Sequence, residues 1–233
     1  MPRLYLIPSL LHEEGIQHIP PAVKTTIEKV SYYVVERLRT ARRFLKIVDD
    51  KITIDSLCML EMNQKDPIWV EDVTRWLQSN VDIGVISEAG APCIADPGAI
   101  VVHLARQADY QIIPLAGPVS MMLALMSSGF DGQRYTFHGY LPVKELALKD
   151  RLRTIHTGLT KTGYTQLWME TPYRNDNMIT QVTKALPGHV HLCIASDLTA
   201  PSETIITKPI KEWRNKKIGK RPSIFLIGHP QQP

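Results

Sequence analysis

The sequence predicts an α/β protein of two α/β domains, the first built on a mostly parallel sheet and the second on a mixed one. In the first half of the 233 residues, apolar runs of strand length alternate with helix-length amphipathic patterns, as parallel strands joined by helical crossovers require. In the second half there are fewer helices per strand, which favours some antiparallel pairing. Near the middle, Ser127-Ser128-Gly129-Phe130-Asp131-Gly132 has linker composition, and the expected domains are 1–118 and 119–233.

Strands are expected at 4–7, 32–35, 83–86 and 111–115, with helices at about 23–29, 40–47, 70–78, 99–107 and 120–128. Pro21 near the start of the first helix and Asp109 after the fourth are suitable punctuation. The second half offers strands at 135–139, 165–169, 191–195, 203–207 and 223–227, and helices at about 144–156 and 175–186. No internal repeat or low-complexity segment interrupts this order, and the Pro-Gln-Gln-Pro terminus is expected to fray.

Composition narrows the function classes. Hydrophobic content of 44% with 21% charged residues is that of a globular protein in water. A net charge of +4 permits a nucleic-acid partner without demanding one. Cations cluster at Arg37, Arg39, Arg42, Arg43 and Lys46, and again at Lys211, Arg214, Lys216, Lys217, Lys220 and Arg221. Cys58, Cys93 and Cys193 are far apart with no CxxC spacing, which predicts free thiols in a reducing, cytoplasmic setting and no metal site. The eight histidines are scattered; His189 and His191 would share a strand face, away from any acidic cluster. Residues 4–11 are interrupted by Pro8 and read as a first buried strand, not a leader. The apolar stretch 114–130 is too broken by Gly117, Pro118 and serines to span a membrane.

Several common signatures are missing. There is no GxGxxG, no GxxxxGK[ST], no GxSxG and no HExxH, which removes the usual dinucleotide turn, the ATP-hydrolysing P-loop and the commonest hydrolase motifs. What stands out is Ile-Ser-Glu-Ala-Gly-Ala-Pro-Cys-Ile-Ala-Asp-Pro-Gly at 86–98, between an expected strand and an expected helix. Gly90 and its flanking alanines permit close backbone approach, while Glu88 and Asp96 make the loop acidic. Such a loop suits a cationic or polyhydroxylated ligand better than a pyrophosphate.

Further patterns follow in fixed order: Pro114-Leu115-Ala116-Gly117-Pro118-Val119-Ser120, Phe137-His138-Gly139-Tyr140-Leu141-Pro142, Met169-Glu170-Thr171-Pro172-Tyr173-Arg174, Ser196-Asp197-Leu198-Thr199 and Arg221-Pro222-Ser223-Ile224-Phe225-Leu226-Ile227-Gly228. The series resembles the tetrapyrrole methylase superfamily of S-adenosylmethionine-dependent methyltransferases, and within it most closely the small-subunit ribosomal RNA ribose 2′-O-methyltransferase branch. The likeness covers roughly residues 81–228. It implies a homodimer of two-domain subunits with the cofactor, S-adenosylmethionine, folded into an interdomain cleft. Carried over by position, Glu88, Ala89, Gly90, Ala91 and Ile94 would line the cofactor from the first domain, with Ser120 and Met121 at the next turn. Met169, Leu198, Pro222 and Ser223 would close over adenine and ribose from the second.

The first-strand loop departs from that branch. Its Gly-Asn-Leu-Gly-Asp is replaced by Pro8-Ser9-Leu10-Leu11-His12-Glu13-Glu14-Gly15, and its Ala-Glu-Asp-Thr-Arg by Val35-Glu36-Arg37-Leu38-Arg39. The loop's Asp and Thr become Glu88 and Ala91, and a later His becomes Tyr173. These positions would face the acceptor. For the proton of an acceptor hydroxyl, Glu36, Glu88, Asp96 and Glu170 are the candidate bases, and Arg39 and Arg174 the candidate anion holders. Glu36, Glu170 and Arg174 are the leading catalytic candidates; a structural Glu170–Arg174 pair at the next helix is the alternative for the last two. Three functions remain open: methylation of RNA or a ribosomal subunit, methylation of a tetrapyrrole or other small anionic molecule, and cofactor binding without turnover.

Overall fold

A computed structural model describes residues 1–63 and 67–231. The chain divides into two compact units, Met1–Val119 and Ser120–Pro233. The first is a five-stranded parallel sheet in the order β3-β2-β4-β1-β5, formed by β1 (Arg3–Ile7), β2 (Tyr32–Val35), β3 (Cys58–Glu61), β4 (Ile83–Ile86) and β5 (Gln111–Pro114). Four helices cover its faces: α1 (Pro21–Ile27), α2 (Leu38–Val48), α3 (Ile68–Gln78) and α4 (Ala99–Gln107).

Helix periodicity explains which side each helix turns inward. Ala41, Phe44 and Leu45 of α2 are buried, leaving Arg39, Arg42, Arg43 and Lys46 on its exposed face. Trp69, Val73 and Leu77 do the same for α3. One core packs Val23, Ile27, Phe44 and Leu45 against Ile7 and Ile86, and the other packs Trp69, Val73, Val101 and Ala105 against Leu4 and Ile83. Leu4, Ile7, Ile83 and Ile86 are wholly excluded from water, and each such burial contributes about 1.5–3 kcal/mol.

β3 was not expected from the sequence. It is a short edge strand, Cys-Met-Leu-Glu, with no β-branched residue and only partial burial, so it lacks the signal that marks the central strands. The other four strands and all four helices of this unit lie where the apolar periodicity puts them, within two residues at either end.

The second unit carries a mixed sheet, β6-β7-β10-β8-β9, formed by β6 (Tyr135–Tyr140), β7 (Thr165–Glu170), β8 (His191–Ser196), β9 (Thr204–Pro209) and β10 (Ser223–Gly228). Only β6 and β7 run parallel; the other three pairings are antiparallel. Helix α5 (Ser120–Ser127) opens the unit, and α6 (Glu145–Thr162) and α7 (Asn175–Ala185) supply the apolar stripes of its core. Trp168 and Phe225 stack at the centre with ring centroids 5.8 Å apart. Helix α6 runs past the expected end at 156 because Leu159 continues the stripe of Leu148, Leu152 and Ile155, until Gly163 ends it with φ 73°. His191 begins β8 but His189 lies in the turn before it, so the two do not share a strand face. Among the described residues no group of three His, Cys, Asp or Glu is placed to hold a metal, and no helix is long and apolar enough to cross a membrane.

One contact in the first unit is unusually close. A Cβ built on Gly117 would lie 2.2 Å from Pro8 Cβ and 2.3 Å from Pro8 Cγ. Gly117→Ala should therefore cost about 1–3 kcal/mol by overpacking, and Pro8→Gly in the same chain should recover part of that loss. Urea denaturation of the two single variants and the double variant checks this coupling.

Candidate functional site

Strand register brings four loops to one end of the first sheet. Ile86 lies beside both Ile7 and Val35, and Pro114 lies beside Leu6. Residues 8, 36, 87 and 115, which leave these strands in the same direction, therefore emerge together, at the edge where open α/β sheets bind ligands.

Hydrogen bonds hold the 87–91 loop among its neighbours. The Gly90 carbonyl accepts from the Ser9 N–H at 2.9 Å and from the Ser87 hydroxyl at 2.8 Å. The Ser9 hydroxyl donates to the Ser87 carbonyl at 3.1 Å, and the Ala91 N–H donates to the Pro118 carbonyl at 3.0 Å. On the far side, Glu36 accepts the Glu88 N–H at 2.7 Å. Gly90 has φ 78°, and a Cβ there would sit 2.9 Å from both the Pro118 oxygen and Leu11; glycine is the residue this position accepts.

The loop's later half is held differently. Asp96 Oδ1 accepts the Gly98 N–H at 2.7 Å, and Asp96 Oδ2 is buried with no hydrogen-bond partner among the described residues. Burial, and then the Asp96 charge, push the Cys93 thiol up to about 12, so Cys93 stays protonated and is no nucleophile.

Beside the loop lies a cavity of about 690 Å³, lined in part by Leu11, His12, Arg39, Thr40, Glu88 and Ala89. Its other cations are engaged: Arg43 pairs with Glu13, and Arg37 lies 3.9 Å from Glu61. Arg39 is exposed and has no acidic partner among the described residues. The cavity thus offers one open guanidinium, one exposed carboxylate outside any ion pair among the described residues, at Glu88, and the Ala89 backbone.

In the second unit, the expected cofactor residues fall on strand ends and the turns after them. Met169 is half-buried on β7, Leu198 is buried beyond β8, Pro222 is exposed before β10, and Ser223 is buried at its start. The Ser223 hydroxyl is already bound, to Ser196 Oγ at 2.8 Å and to the Arg221 carbonyl at 3.0 Å. Beside Leu198, Thr199 Oγ1 is buried without a partner among the described residues, an orphaned polar atom that a ligand hydroxyl or amine would satisfy. Met121 is buried on α5, and Ser120 is half-buried at the helix start.

Glu170 and Arg174 form an internal clamp. The Glu170 side chain is fully buried, lies 3.2 Å from Arg174, and accepts the Thr171 N–H at 2.7 Å. Arg174 also donates to the carbonyls of Leu141 and Pro142. Burial raises the Glu170 pKa against the opposing pull of these partners.

Comparison with known proteins gives the family and the fold. No family model matches the chain. Ribosomal RNA small subunit methyltransferase I of Vibrio cholerae is 30% identical over 211 residues, covering 91% of this chain and 70% of that protein. The chain belongs to the ribosomal RNA small subunit methyltransferase I family. The like-named protein of Xylella fastidiosa is 32% identical over 150 residues, 64% of this chain and 53% of that one. For Pasteurella multocida the figures are 28% over 200 residues, 86% and 68%. Two solved structures share the fold at 13% identity: the methyltransferase CobJ, with a TM-score of 0.65 over 98% of this chain and 95% of that one, and the uroporphyrin-III-C-methyltransferase of Thermus thermophilus, with 0.58 over 97% and 92%.

Within the first unit, the expected loop residues lie together, and in the second unit Glu170 and Arg174 lie together. Glu88, Ala89, Gly90 and Ala91 form one continuous turn, with Ile94 exposed beyond it. Glu36 joins this turn through its bond to the Glu88 N–H, whereas Glu170 and Arg174 belong to the other unit. Sequence reasoning missed Ser9, Ser87 and the Pro118 carbonyl. Ser9 sits in a segment read as facing the acceptor, yet it is 1% exposed and turned into the loop. Serines one and two residues after the ends of two adjacent buried strands were the available signal.

Burial raises the Glu36 pKa, and the nearby charges of Asp96 and Glu88 add to the rise. A carboxyl with a raised folded pKa costs stability as pH climbs through that value. Glu36→Gln keeps an acceptor for the Glu88 N–H and removes the charge, so it should match the parent near pH 4 and exceed it near pH 8. Glu36→Ala should lose about 1 kcal/mol. Chemical denaturation at both pH values checks the pair.

Proposed function

We propose that this chain methylates the ribose 2′-hydroxyl of small-subunit ribosomal RNA with S-adenosylmethionine, as a cytoplasmic homodimer. The observation that carries the reading is the cavity beside Glu88 and Ala89, where a side-chain-poor backbone, an exposed carboxylate and an unpaired Arg39 share one wall system. A positively charged donor fits the acidic, small-residue loop, and an RNA phosphate fits Arg39. The Thr199 hydroxyl, without a partner among the described residues, and half-buried Met169 suit a nucleoside's polar and apolar parts. Exposed Met126, Val143 and Leu146 in the second unit are side chains that a second copy would cover.

S-adenosylmethionine supplies a methyl group already activated by its sulfonium. The protein's work is alignment and exclusion of water, a positioning effect of roughly 7–11 kcal/mol when fully realised. Ala89 to Ala91 leave space for close approach. Glu88 faces the cavity and takes the acceptor proton. Glu36 is a positioning residue, fixing the peptide of Glu88 through its N–H, and Arg39 holds the phosphate next to the reacting ribose. Glu170 and Arg174 are assigned a positioning role as well, through the Leu141–Pro142 turn they clamp.

Calorimetric titration with S-adenosylmethionine and with its demethylated product should give saturable binding of both. Labelled-methyl transfer to small ribosomal subunits should follow. Glu88→Gln should lower kcat by about 10²–10⁴-fold, while Arg39→Ala should raise KM for RNA and leave kcat in place. Absence of binding to either ligand, or transfer only to small anionic molecules, contradicts the reading.

A further inference from the structure

The protein's net charge of +4 is unevenly distributed. Residues 1–119 hold 12 Lys and Arg against 15 Asp and Glu, and residues 120–233 hold 15 against 8. Within the second group, residues 208–221 alone contribute seven cations, Lys208, Lys211, Arg214, Lys216, Lys217, Lys220 and Arg221, against the single acid Glu212. Without that segment the chain would be net negative.

The segment is a built surface. Asp176 Oδ1 accepts the N–H groups of Ile218 and Gly219 at 2.9 and 3.1 Å. The fully buried Asn175 donates to the carbonyls of Gly219 and Arg221 at 3.0 and 2.7 Å. Arg221 is tied to Asp197 at 2.7 Å and serves as an anchor. Lys211 is joined through its N–H to the Gly188 carbonyl, and Lys216 through its N–H to the Trp213 carbonyl. Arg214, Lys216, Lys217 and Lys220 remain exposed with no ion-pair partner among the described residues. Next to them Tyr173 is 80% exposed, and Lys220 Nζ stands 5.1 Å from its ring centroid.

We infer that the 214–220 loop and Tyr173 form a contact surface for single-stranded RNA outside the catalytic cavity. Unpaired cations on a clamped backbone meet successive phosphates without first breaking ion pairs, and an exposed ring gives a base a stacking face. An anionic membrane would meet the same lysines, but it offers no flat base to stack on Tyr173, so only RNA binding depends on a ring face at that position. The inference rests on the RNA reading above and adds to it the place where flanking nucleotides bind.

The test uses the whole chain and three substrates: small ribosomal subunits, a single-stranded RNA oligonucleotide, and phosphatidylglycerol vesicles. The triple variant Lys216→Gln, Lys217→Gln, Lys220→Gln should bind S-adenosylmethionine as the parent does and reach the same kcat. Its KM for subunits should rise, and the slope of log affinity for the oligonucleotide against log salt should shrink by about two. Tyr173→Ala should weaken oligonucleotide binding about tenfold, with Tyr173→Phe restoring it. Unchanged KM, affinity and salt slope in the triple variant overturn the inference while leaving methyl transfer intact. Loss of vesicle binding with RNA binding untouched overturns it too. If the parent binds the oligonucleotide but transfers no methyl group to subunits, the function proposed above fails, and oligonucleotide binding by the variants still decides this surface.

Discussion

The Gly90 carbonyl is the point on which the 87–91 loop turns. It faces the Ser9 N–H and the Ser87 hydroxyl, one from the strand on its flank and one from its own strand's end. That pairing is available only because β1 and β4 are neighbours in register, with Ile7 beside Ile86. Buried apolar side chains set the register, since a slip of one residue would turn Leu4, Ile7, Ile83 and Ile86 out of their cores. Loop geometry is thus inherited from core packing, and the backbone beside Ala89 is already shaped before any ligand arrives.

Chemistry follows from what the loop leaves undone. Glu36 spends its carboxylate on the Glu88 N–H, and Glu170 spends its own on Thr171 and Arg174. Glu88 and Arg39 remain with exposed side chains on the same cavity. The division separates groups that hold the backbone from groups that can meet a substrate. Burial raises the pKa of Glu36 and Glu170 alike, so a raised pKa by itself does not distinguish one carboxyl from the other.

Most of the architecture was legible in the sequence because the central strands are short and largely buried, with apolar side chains such as those of Tyr33 to Val35 and Ile83 to Ile86 in unbroken or nearly unbroken runs. Strand β3 was illegible for the opposite reason: an edge strand with little burial has little periodicity to read. The loop residues Glu88 to Ala91 were legible as a motif. The hydroxyls that fasten them were not, because a serine after a strand reads as ordinary turn chemistry until its neighbour in the sheet is known. The Pro8–Ser9 segment illustrates this. Its difference from the family pattern suggested an altered acceptor contact; Pro8 packs on Gly117 and Ser9 bonds within the loop, while Leu10 to Glu13 line the cavity. For Glu170 and Arg174, a spacing of four residues was equally consistent with chemistry and with a clamp, and the buried ion pair with its bonds to Thr171, Leu141 and Pro142 shows how the two side chains are held.

The most direct test of a preformed ligand-binding loop is amide hydrogen exchange, resolved by residue across 86–92, with and without S-adenosylmethionine. The Glu88 and Ala91 amides, bonded to Glu36 and to the Pro118 carbonyl, should exchange slowly in the free protein, and the Ala89 amide should exchange fast until ligand slows it. Fast exchange throughout the free loop, or an Ala89 amide indifferent to ligand, would contradict the account.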